Sequence, residues 1–490
     1  MKILELPAYF YPERMSSSHL DDNLREALAN AEIEMAIYCP TPTRSITLEE
    51  RRVYRKKKLE KMYSGMATVH RFSLYGEGKN PILRALRYTL ACIMQFNRAL
   101  FAKDARSCDV MFITSTPPIK GAMAGIAKKF NRKPIVYNLQ DIFPDSLVGS
   151  GLAKKGSLLW KIGRVIENFT YRNADKIIVI SQDFKRNIMA KGVPEEKIVV
   201  IYNWVDEKTV QPLAKEDNPL FEEFGLSREK FIIVYAGNLG NAQNISIILQ
   251  AAKLLKDDDL NDDDNLDNNQ MVGSDEKKVN NNFNHNQGIQ FVIFGTGGLE
   301  EELRRTIEKE HLDNVRLLPL QPYERVSQVY SLGDACIVSC KEGLGGSAMP
   351  SKTWTIMSCG RPVIASFDEG ELKDIVEGKV DGNLDLNLDD NDNQDNNFNL
   401  DLGVDENLDL NGNLDLCDNK NVGAKPCGIF TKAGDKEAFK EAILKLYRNP
   451  ELCKEYGRNG RQFILQNLTK EVGTRKYVEV IKSVAEEKRR

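Results

Sequence analysis

The sequence predicts an α/β protein with two doubly wound sheets that face each other across a cleft. Three observations lead to this prediction. The chain has 490 residues, which is too long for a single ordinary core. Short apolar runs alternate with helical segments, as buried parallel strands do. The alternation stops at a linker after Asn203–Asp206 and then begins again, which indicates two sheets rather than one.

The first sheet belongs to a predicted N-terminal domain of residues 1–206. Its strands are expected where the sequence is short, apolar and flanked by polar turns. Helices are expected at Leu20–Ala31 and Leu158–Asn173. The predicted strands are Lys2–Leu6, Met35–Tyr38, Val110–Thr114, Ile135–Leu139, Lys176–Ile180 and Ile198–Tyr202.

The second sheet belongs to a predicted C-terminal domain of residues 207–469. Its predicted strands are Phe231–Ala236, Gln290–Phe294, Val315–Leu318, Ala335–Ser339, Pro362–Ser366 and Gly428–Phe430. Its predicted helices are Ile245–Leu255, Leu372–Glu377, Glu437–Tyr447 and Glu451–Gln466. The last segment, residues 470–490, contains a helix at Lys470–Lys488 whose apolar spacing predicts packing back on the N-terminal domain.

Two Asn/Asp-rich segments interrupt the second domain, at residues 257–288 and 381–420. Their low complexity predicts disordered insertions on surface loops. A calcium-binding array is the alternative, but the spacings of known calcium loops are absent. The segments carry net charges of −7 and −11 while the whole chain carries −3, so the remainder carries about +15. A basic remainder suits an anionic ligand or membrane surface, or is simply a solvated surface.

Composition excludes several classes of protein. No window holds the roughly 18 apolar residues of a membrane span, and the N-terminus lacks the pattern of a signal peptide. The nine cysteines form no C-x-x-C pair and are expected to be free thiols. The four histidines are not paired at ligand spacing, so no metal site is expected. We expect a cytoplasmic protein without cofactor, metal or nucleic-acid partner.

Two glycine turns connect strands to helices in the second domain. In "YAGNLGNAQN" (Tyr235–Asn244), Gly237 and Gly240 allow close backbone approach, and the following helix offers amides to an anion. The alternative is a tight turn without a ligand. The second turn, "FGTGGLEEEL", contains Gly295 and lacks the full spacing of a dinucleotide turn.

A short helix is predicted inside "MPSKTWTIMSCGRPVIA" (Met349–Ala365). Ser351 is expected to cap it, with Lys352 in its first turn. A lysine at a helix N-terminus is unfavourable against the macrodipole unless an anion binds there. The alternative is a lysine that points into solvent.

The longer stretch "MPSKTWTIMSCGRPVIASFDEGELKDIVE" resembles the donor-site block of family 4 glycosyltransferases, which have the GT-B fold of two Rossmann-like domains. The similarity points to the WbuB-like branch that builds O-antigen, capsule and colanic-acid-type polysaccharides. Other blocks of the family follow in order along the chain: "YFYPE" (Tyr9–Glu13), "STPP" (Ser115–Pro118), "DIFPDSLV" (Asp141–Val148) and "CGIFTKAGD" (Cys427–Asp435).

The resemblance implies a retaining, metal-independent transferase that uses a nucleotide-diphosphate sugar, with N-acetylated and deoxy-amino sugars among the candidates. The implied acceptor is a polyprenyl-diphosphate-linked saccharide or an oligosaccharide. The implied catalytic residues are Asp141, Lys352 and Glu371. The implied donor-binding residues are Gly237, Asn238, Gly240, Gln243, Gly295, Ser351, Lys352 and Glu371.

The chain also departs from the family pattern. Asn238 and Gln243 occupy positions where many members carry Arg and Lys, and Thr355 replaces the second Glu of the E-x7-E pair. Asp141 is expected to orient or deprotonate the acceptor, or else to bond turn amides. Glu371 is expected near the donor sugar or ribose, or else serves as a helix N-terminal carboxylate.

Two other functions remain open on these residues. A sugar-nucleotide epimerase can share the GT-B architecture, and a degenerate transferase without the Glu pair could bind nucleotide sugars without turnover. The basic run Arg51–Lys61 and the apolar segment Tyr88–Phe101 indicate attachment to the cytoplasmic face of a membrane, or else a solvated loop and a core helix. Residues 16–19, including His19, are expected near the donor phosphates.

Overall fold

A computed structural model describes residues 1–13, 17–44, 46–76, 80–149, 151, 153–266, 288–380 and 424–488. The chain folds into two sheets, each covered by helices on both faces. None of the helices in these ranges is long and apolar enough to cross a bilayer.

The N-terminal sheet has eight strands in the order β3-β4-β2-β1-β5-β6-β7-β8. All neighbouring strands run parallel except β3 and β4, which pair antiparallel at the edge. The strands are Lys2–Glu5 (β1), Glu34–Pro40 (β2), Leu59–Met62 (β3), Ala67–Phe72 (β4), Val110–Thr114 (β5), Ile135–Leu139 (β6), Lys176–Val179 (β7) and Ile198–Val200 (β8).

Three helices of this domain begin at residues whose side chains cap them. Ser157 and Ser181 each accept a hydrogen bond from the amide three residues on, and Thr47 forms a capping box with Glu50. The helices are Ser18–Asn30 (α1), Leu48–Lys56 (α2), Pro81–Phe101 (α3), Lys103–Arg106 (α4), Ile119–Asn131 (α5), Asp145–Gly149 (α6), Leu158–Asn173 (α7) and Gln182–Ala190 (α8).

The C-terminal sheet has six parallel strands in the order β11-β10-β9-β12-β13-β14. The strands are Phe231–Asn238 (β9), Ile289–Thr296 (β10), Val315–Leu318 (β11), Ala335–Ser339 (β12), Val363–Phe367 (β13) and Gly428–Lys432 (β14). The helices are Leu220–Phe224 (α9), Ser246–Leu266 (α10), Glu300–Lys309 (α11), Val326–Ser331 (α12), Lys352–Ser358 (α13), Glu371–Val376 (α14), Lys436–Tyr447 (α15), Pro450–Asn467 (α16) and Lys470–Glu487 (α17).

The predicted α/β fold class is confirmed, and every predicted strand is present with small shifts of its ends. The sequence reading missed β3 and β4. The basic run Arg51–Lys61 divides between the end of α2 and β3, a four-residue edge strand with two charged residues and no buried apolar face. Helix α10 runs to Leu266, beyond its predicted end at Leu255. Residues 257–266, which were predicted to belong to the first disordered insertion, are therefore helical. Gly288 is also described, and the rest of both predicted insertions lies outside the described residues.

The chain passes twice between the two sheets, and the two passages lie side by side. The Val205 amide donates to the Leu468 carbonyl at 3.0 Å, and Val205 also pairs with Thr469. Helix α17 then packs on α1, β5 and β6 of the N-terminal domain. Its Tyr477 hydroxyl donates to Asn138 at 3.0 Å, so the last helix is part of the N-terminal core.

Candidate functional site

The first glycine turn lies at the carboxyl end of β9, where ligands of doubly wound sheets bind. Gly237 has a φ of 148°. A Cβ atom on Gly237 would lie 2.8 Å from Nζ of Lys352. The backbone conformation therefore favours glycine, and the missing side chain lets the lysine reach the turn.

Lys352 is the first residue of α13 and is half-buried. Its Nζ lies 4.1 Å from the centre of the Tyr235 ring, a cation–π contact. Desolvation lowers its pKa to about 8, and no acidic side chain in the described ranges lies near enough to oppose this shift. A cation held this way lacks a counter-charge, so an anionic ligand would be favoured beside it.

Tyr235 is a site residue that the sequence reading did not single out. Its buried hydroxyl donates to the Asn238 carbonyl at 3.0 Å, and burial raises its pKa. The Tyr235 hydroxyl thus fixes the backbone of the turn at Asn238, and the Tyr235 ring contacts the ammonium of Lys352. An aromatic residue two positions before a turn glycine is the only sequence signal for this role.

The loop after the first turn presents an unsatisfied polar atom. Asn241–Gln243 form one 3-10 turn, and the Gln243 carbonyl accepts from the Ser339 hydroxyl at 2.6 Å. The side-chain Oε1 of Gln243 is buried without a hydrogen-bond partner in the described structure. A ligand hydroxyl or amine could satisfy it. Gly240 lies next to it, since a Cβ there would be 3.0 Å from that oxygen.

The second glycine turn supports the first turn from behind. A Cβ atom on Gly295 would lie 2.6 Å from Leu239 side-chain atoms and 2.7 Å from the Gly237 carbonyl oxygen. The Leu239 amide donates to the Thr296 carbonyl at 2.9 Å. The observed contacts give Gly295 a packing role, and its predicted contact with a donor stays a prediction.

The start of α13 differs in one respect from the prediction. Ser351 occupies the N-cap position and is exposed, but its side chain makes no capping hydrogen bond, so the predicted side-chain cap is wrong. Its φ and ψ of −58° and −21° are already helical, which turns the hydroxyl away from the amides of the first turn. Thr355 is half-buried one turn later.

Glu371 lies at the boundary between the two domains. Its Oε2 accepts from the Gln182 amide at 2.7 Å, and the Tyr202 hydroxyl donates to its Oε1. In return, Asp183 accepts from the Glu371 amide at 2.9 Å. The Glu371 carboxylate thus caps α8 of the N-terminal domain, and the Asp183 carboxylate caps α14 of the C-terminal domain. Burial raises the pKa of Glu371, although these hydrogen bonds oppose the shift.

Asp141 lies just after β6, on the N-terminal side of the cleft. It reaches solvent beside a small recess that Tyr137 and Glu167 also line. Desolvation raises its pKa, a hydrogen bond with Ser146 opposes the shift, and the charge of Asp145 adds to it. Asp141 belongs to the N-terminal domain and Lys352 to the C-terminal domain, and no described contact joins them.

The sequence did not indicate a further buried lysine, Lys120, which lies inside the N-terminal domain. Lys120 is the second residue of α5, after the "STPP" turn, and its Nζ is buried without a hydrogen-bond partner among the described residues. Burial lowers its pKa to about 8.

Of residues 16–19, Ser16 lies outside the described ranges, and His19 stacks on Tyr323 of the other domain at 4.2 Å.

The comparisons with known proteins agree with this architecture. Residues 22–209 match the family described as Glycosyltransferase Family 4, and residues 217–387 match glycosyl transferases group 1. The chain is 26% identical to the probable glycosyltransferase WbjE of Pseudomonas aeruginosa, over 49% of this chain and 53% of that protein. It is 26% identical to the putative colanic acid biosynthesis glycosyl transferase WcaI of Escherichia coli K12, over 65% and 72%.

Solved structures share the fold over almost the whole chain. HepE of Anabaena, crystallised in complex with UDP, has a TM-score of 0.62 at 14% identity, covering 99% of this chain and 100% of that one. Sucrose-phosphate synthase of Thermosynechococcus elongatus has a TM-score of 0.66 at 14% identity, covering 99% and 98%. Because the two family matches together extend across both sheets, the chain belongs to the family 4 glycosyltransferases, and the solved structures show that its fold is GT-B.

Proposed function

We propose that this glycosyltransferase moves a sugar from a nucleotide-diphosphate donor to a lipid-linked or oligosaccharide acceptor during surface polysaccharide biosynthesis. The name of WcaI, a putative colanic acid biosynthesis glycosyl transferase, supports the polysaccharide context, and the UDP complex of HepE supports a nucleotide donor. We further propose that the reaction retains anomeric configuration, needs no metal or cofactor, and takes place at the cytoplasmic face of the membrane.

The observation that carries this proposal is the ammonium of Lys352 against Gly237, for which the described residues supply no acidic partner. A diphosphate bound there would receive the charge of Lys352 and the amides of the glycine turn. The unsatisfied Gln243 oxygen is well suited to a hydroxyl of the donor. Asn238 and Gln243 are neutral, so Lys352 supplies the main positive charge on this wall.

The transfer breaks the bond between the anomeric carbon and the diphosphate oxygen. It forms a bond from the same carbon to the acceptor oxygen, on the same face in a retaining reaction. Negative charge develops on the departing diphosphate, which is where a fixed cation lowers the barrier most. The acceptor proton leaves to the diphosphate or to a carboxylate, and Asp141 on the opposite wall is the proposed recipient. Its raised pKa suits proton uptake.

A donor panel tests the proposal directly. The full chain is incubated with UDP-, GDP- and dTDP-sugars and a bacterial membrane extract as acceptor, and nucleoside diphosphate release is measured. We expect release with one donor class and transfer of label to the lipid fraction. Lys352→Ala should reduce kcat/KM by about 100-fold or more, as loss of one charge-stabilising group does. Lys436→Ala, an exposed lysine on α15, is the matched control.

The possible outcomes separate the alternatives. Nucleotide-sugar binding without release by any donor would favour a non-catalytic binding subunit, which the loss of the family's second Glu at Thr355 leaves open. Formation of an epimeric sugar nucleotide would favour an epimerase. Unchanged release in Lys352→Ala would remove the lysine from the mechanism.

A further inference from the structure

Helices α3, α5 and α7 form one layer on the outer side of the N-terminal sheet, and this layer exposes apolar side chains. Leu86, Leu90 and Ile93 follow one stripe of α3 at helical spacing, and all three are exposed. Phe130 at the end of α5 is 73% exposed, and Val165 on α7 is 69% exposed. More than half of the exposed large hydrophobic side chains in the described ranges lie on these three helices.

The layer is tightly packed, so its outer face is a fixed surface. A Cβ atom on Gly121 of α5 would collide with Thr170 of α7. One on Gly125 would lie 2.9 Å from Cβ of Asn173. The two glycines therefore bring α5 against α7, while α3 packs on the other side of α5. Because the helices cannot separate readily, the apolar side chains are presented together.

The charge of this face has a single sign. Lysines and arginines such as Lys129 and Lys161 lie between the apolar side chains and are exposed. The sequences of the three helices contain one carboxylate, Glu167. Glu167 is buried and paired with Arg164 and Lys191, so it contributes no negative charge to the outer surface.

We propose that the outer face of α3, α5 and α7 docks on a bilayer that contains anionic lipids, with the helices lying in the interface. Apolar side chains would enter the acyl boundary while lysines and arginines meet lipid phosphates. A second copy of the chain fits less well, because a symmetric contact would set cations against cations. The inference rests on the proposed function in one respect, since the proposed lipid-linked acceptor would be held in the same bilayer.

This surface differs from the one that the sequence suggested. The basic run Arg51–Lys61 belongs to α2 and β3, and neither element is part of this helix layer. The segment Tyr88–Phe101 is part of α3, and its buried side, with Cys92 and Gln95, faces the sheet. Only its outer stripe joins the docking face, together with α5 and α7.

Vesicle flotation tests the proposal with the full chain. The vesicles are phosphatidylethanolamine with phosphatidylglycerol, and separately phosphatidylcholine alone. We expect binding to the first and little to the second. Ile162→Glu, on α7, should weaken binding at least about tenfold, and Lys161→Glu about fivefold at low salt. Leu465→Glu changes a similarly exposed leucine on α16 of the other domain and should bind as the unmodified chain does.

Each outcome decides the proposal. Absence of binding to phosphatidylglycerol vesicles, or equal binding by Ile162→Glu at an unchanged melting temperature, overturns it. A dimer that Ile162→Glu dissociates would assign the face to a second copy instead. Nucleoside diphosphate release from donor without acceptor lipid should be the same in Ile162→Glu and the unmodified chain. Vesicle binding without any release would therefore contradict the proposed function and leave the docking face intact.

Discussion

At the scale of single residues, the protonation of Lys352 gives the site a pH dependence. Its pKa of about 8 means that the free protein carries the ammonium below that pH and loses it above. A bound diphosphate favours the charged form and raises this pKa. Nucleotide affinity should therefore be constant at lower pH and fall as pH rises past about 8, with proton uptake on binding.

Calorimetry with UDP or another nucleoside diphosphate, in buffers of different ionisation enthalpy, measures that uptake. Lys352→Arg keeps the charge at all these pH values and is the control, since its affinity should not fall above pH 8. A wild-type affinity that is flat across this range would contradict a role for Lys352 in diphosphate binding.

The two glycines of the site are predicted to respond differently to alanine. Gly295→Ala forces a methyl group between Leu239 and the Gly237 carbonyl, and should lower the free energy of unfolding by about 1–3 kcal/mol. Gly237→Ala displaces the flexible end of Lys352 and also strains the backbone. Its loss of nucleotide-binding free energy should exceed its loss of unfolding free energy. Urea unfolding and nucleotide titration of both variants separate the effects, and equal melting behaviour with equal affinity would contradict both assignments.

At the scale of elements, α8 and α14 cap each other across the domain boundary. Removing either carboxylate leaves buried amides without acceptors, so Asp183→Ala and Glu371→Ala should each cost about 1–3 kcal/mol. Because the two caps share one contact, the double variant should lose less than the sum. A double-mutant cycle measured by urea unfolding checks this, and strict additivity would show that the caps act independently.

The sequence allowed prediction of elements whose signal is local. The strand Val110–Thr114 and the glycine turn at Gly237 were both predictable, because apolar runs and turn residues act over a few positions. The edge strand Leu59–Met62 was not, since two of its four residues are charged and its apolar residues do not share one face. The reciprocal caps of Glu371 and Asp183 were also out of reach, because they depend on how two separately folded sheets meet.

At the scale of the whole molecule, the second Asn/Asp-rich segment leaves and re-enters the domain at one point. The Ala424 amide donates to the Val380 carbonyl at 3.2 Å, so two residues placed between them would complete the four residues and the hydrogen bond of a β-turn. Replacing residues 381–423 by Asn-Gly should therefore preserve the fold. A shorter loop costs less closure entropy, so the free energy of unfolding should rise by on the order of 1–2 kcal/mol.

Thermal unfolding and nucleoside diphosphate release of the shortened chain check this expectation. A parallel variant with the same segment replaced by a Gly/Ser linker of equal length controls for composition. Loss of release in the shortened chain together with retention in the linker variant would show that the length of the segment matters to the enzyme.

The paired passages at Val205 and Leu468 define how the cleft can open. Two covalent connections that touch each other form a single pivot line, so we expect one lobe to rotate about that line rather than slide past the other. Displacement grows with distance from the pivot, and the walls carrying Asp141 and Lys352 would move along an arc. A fluorophore pair placed far from the pivot should therefore report nucleotide binding as a change of distance, while a pair beside Val205 should report none.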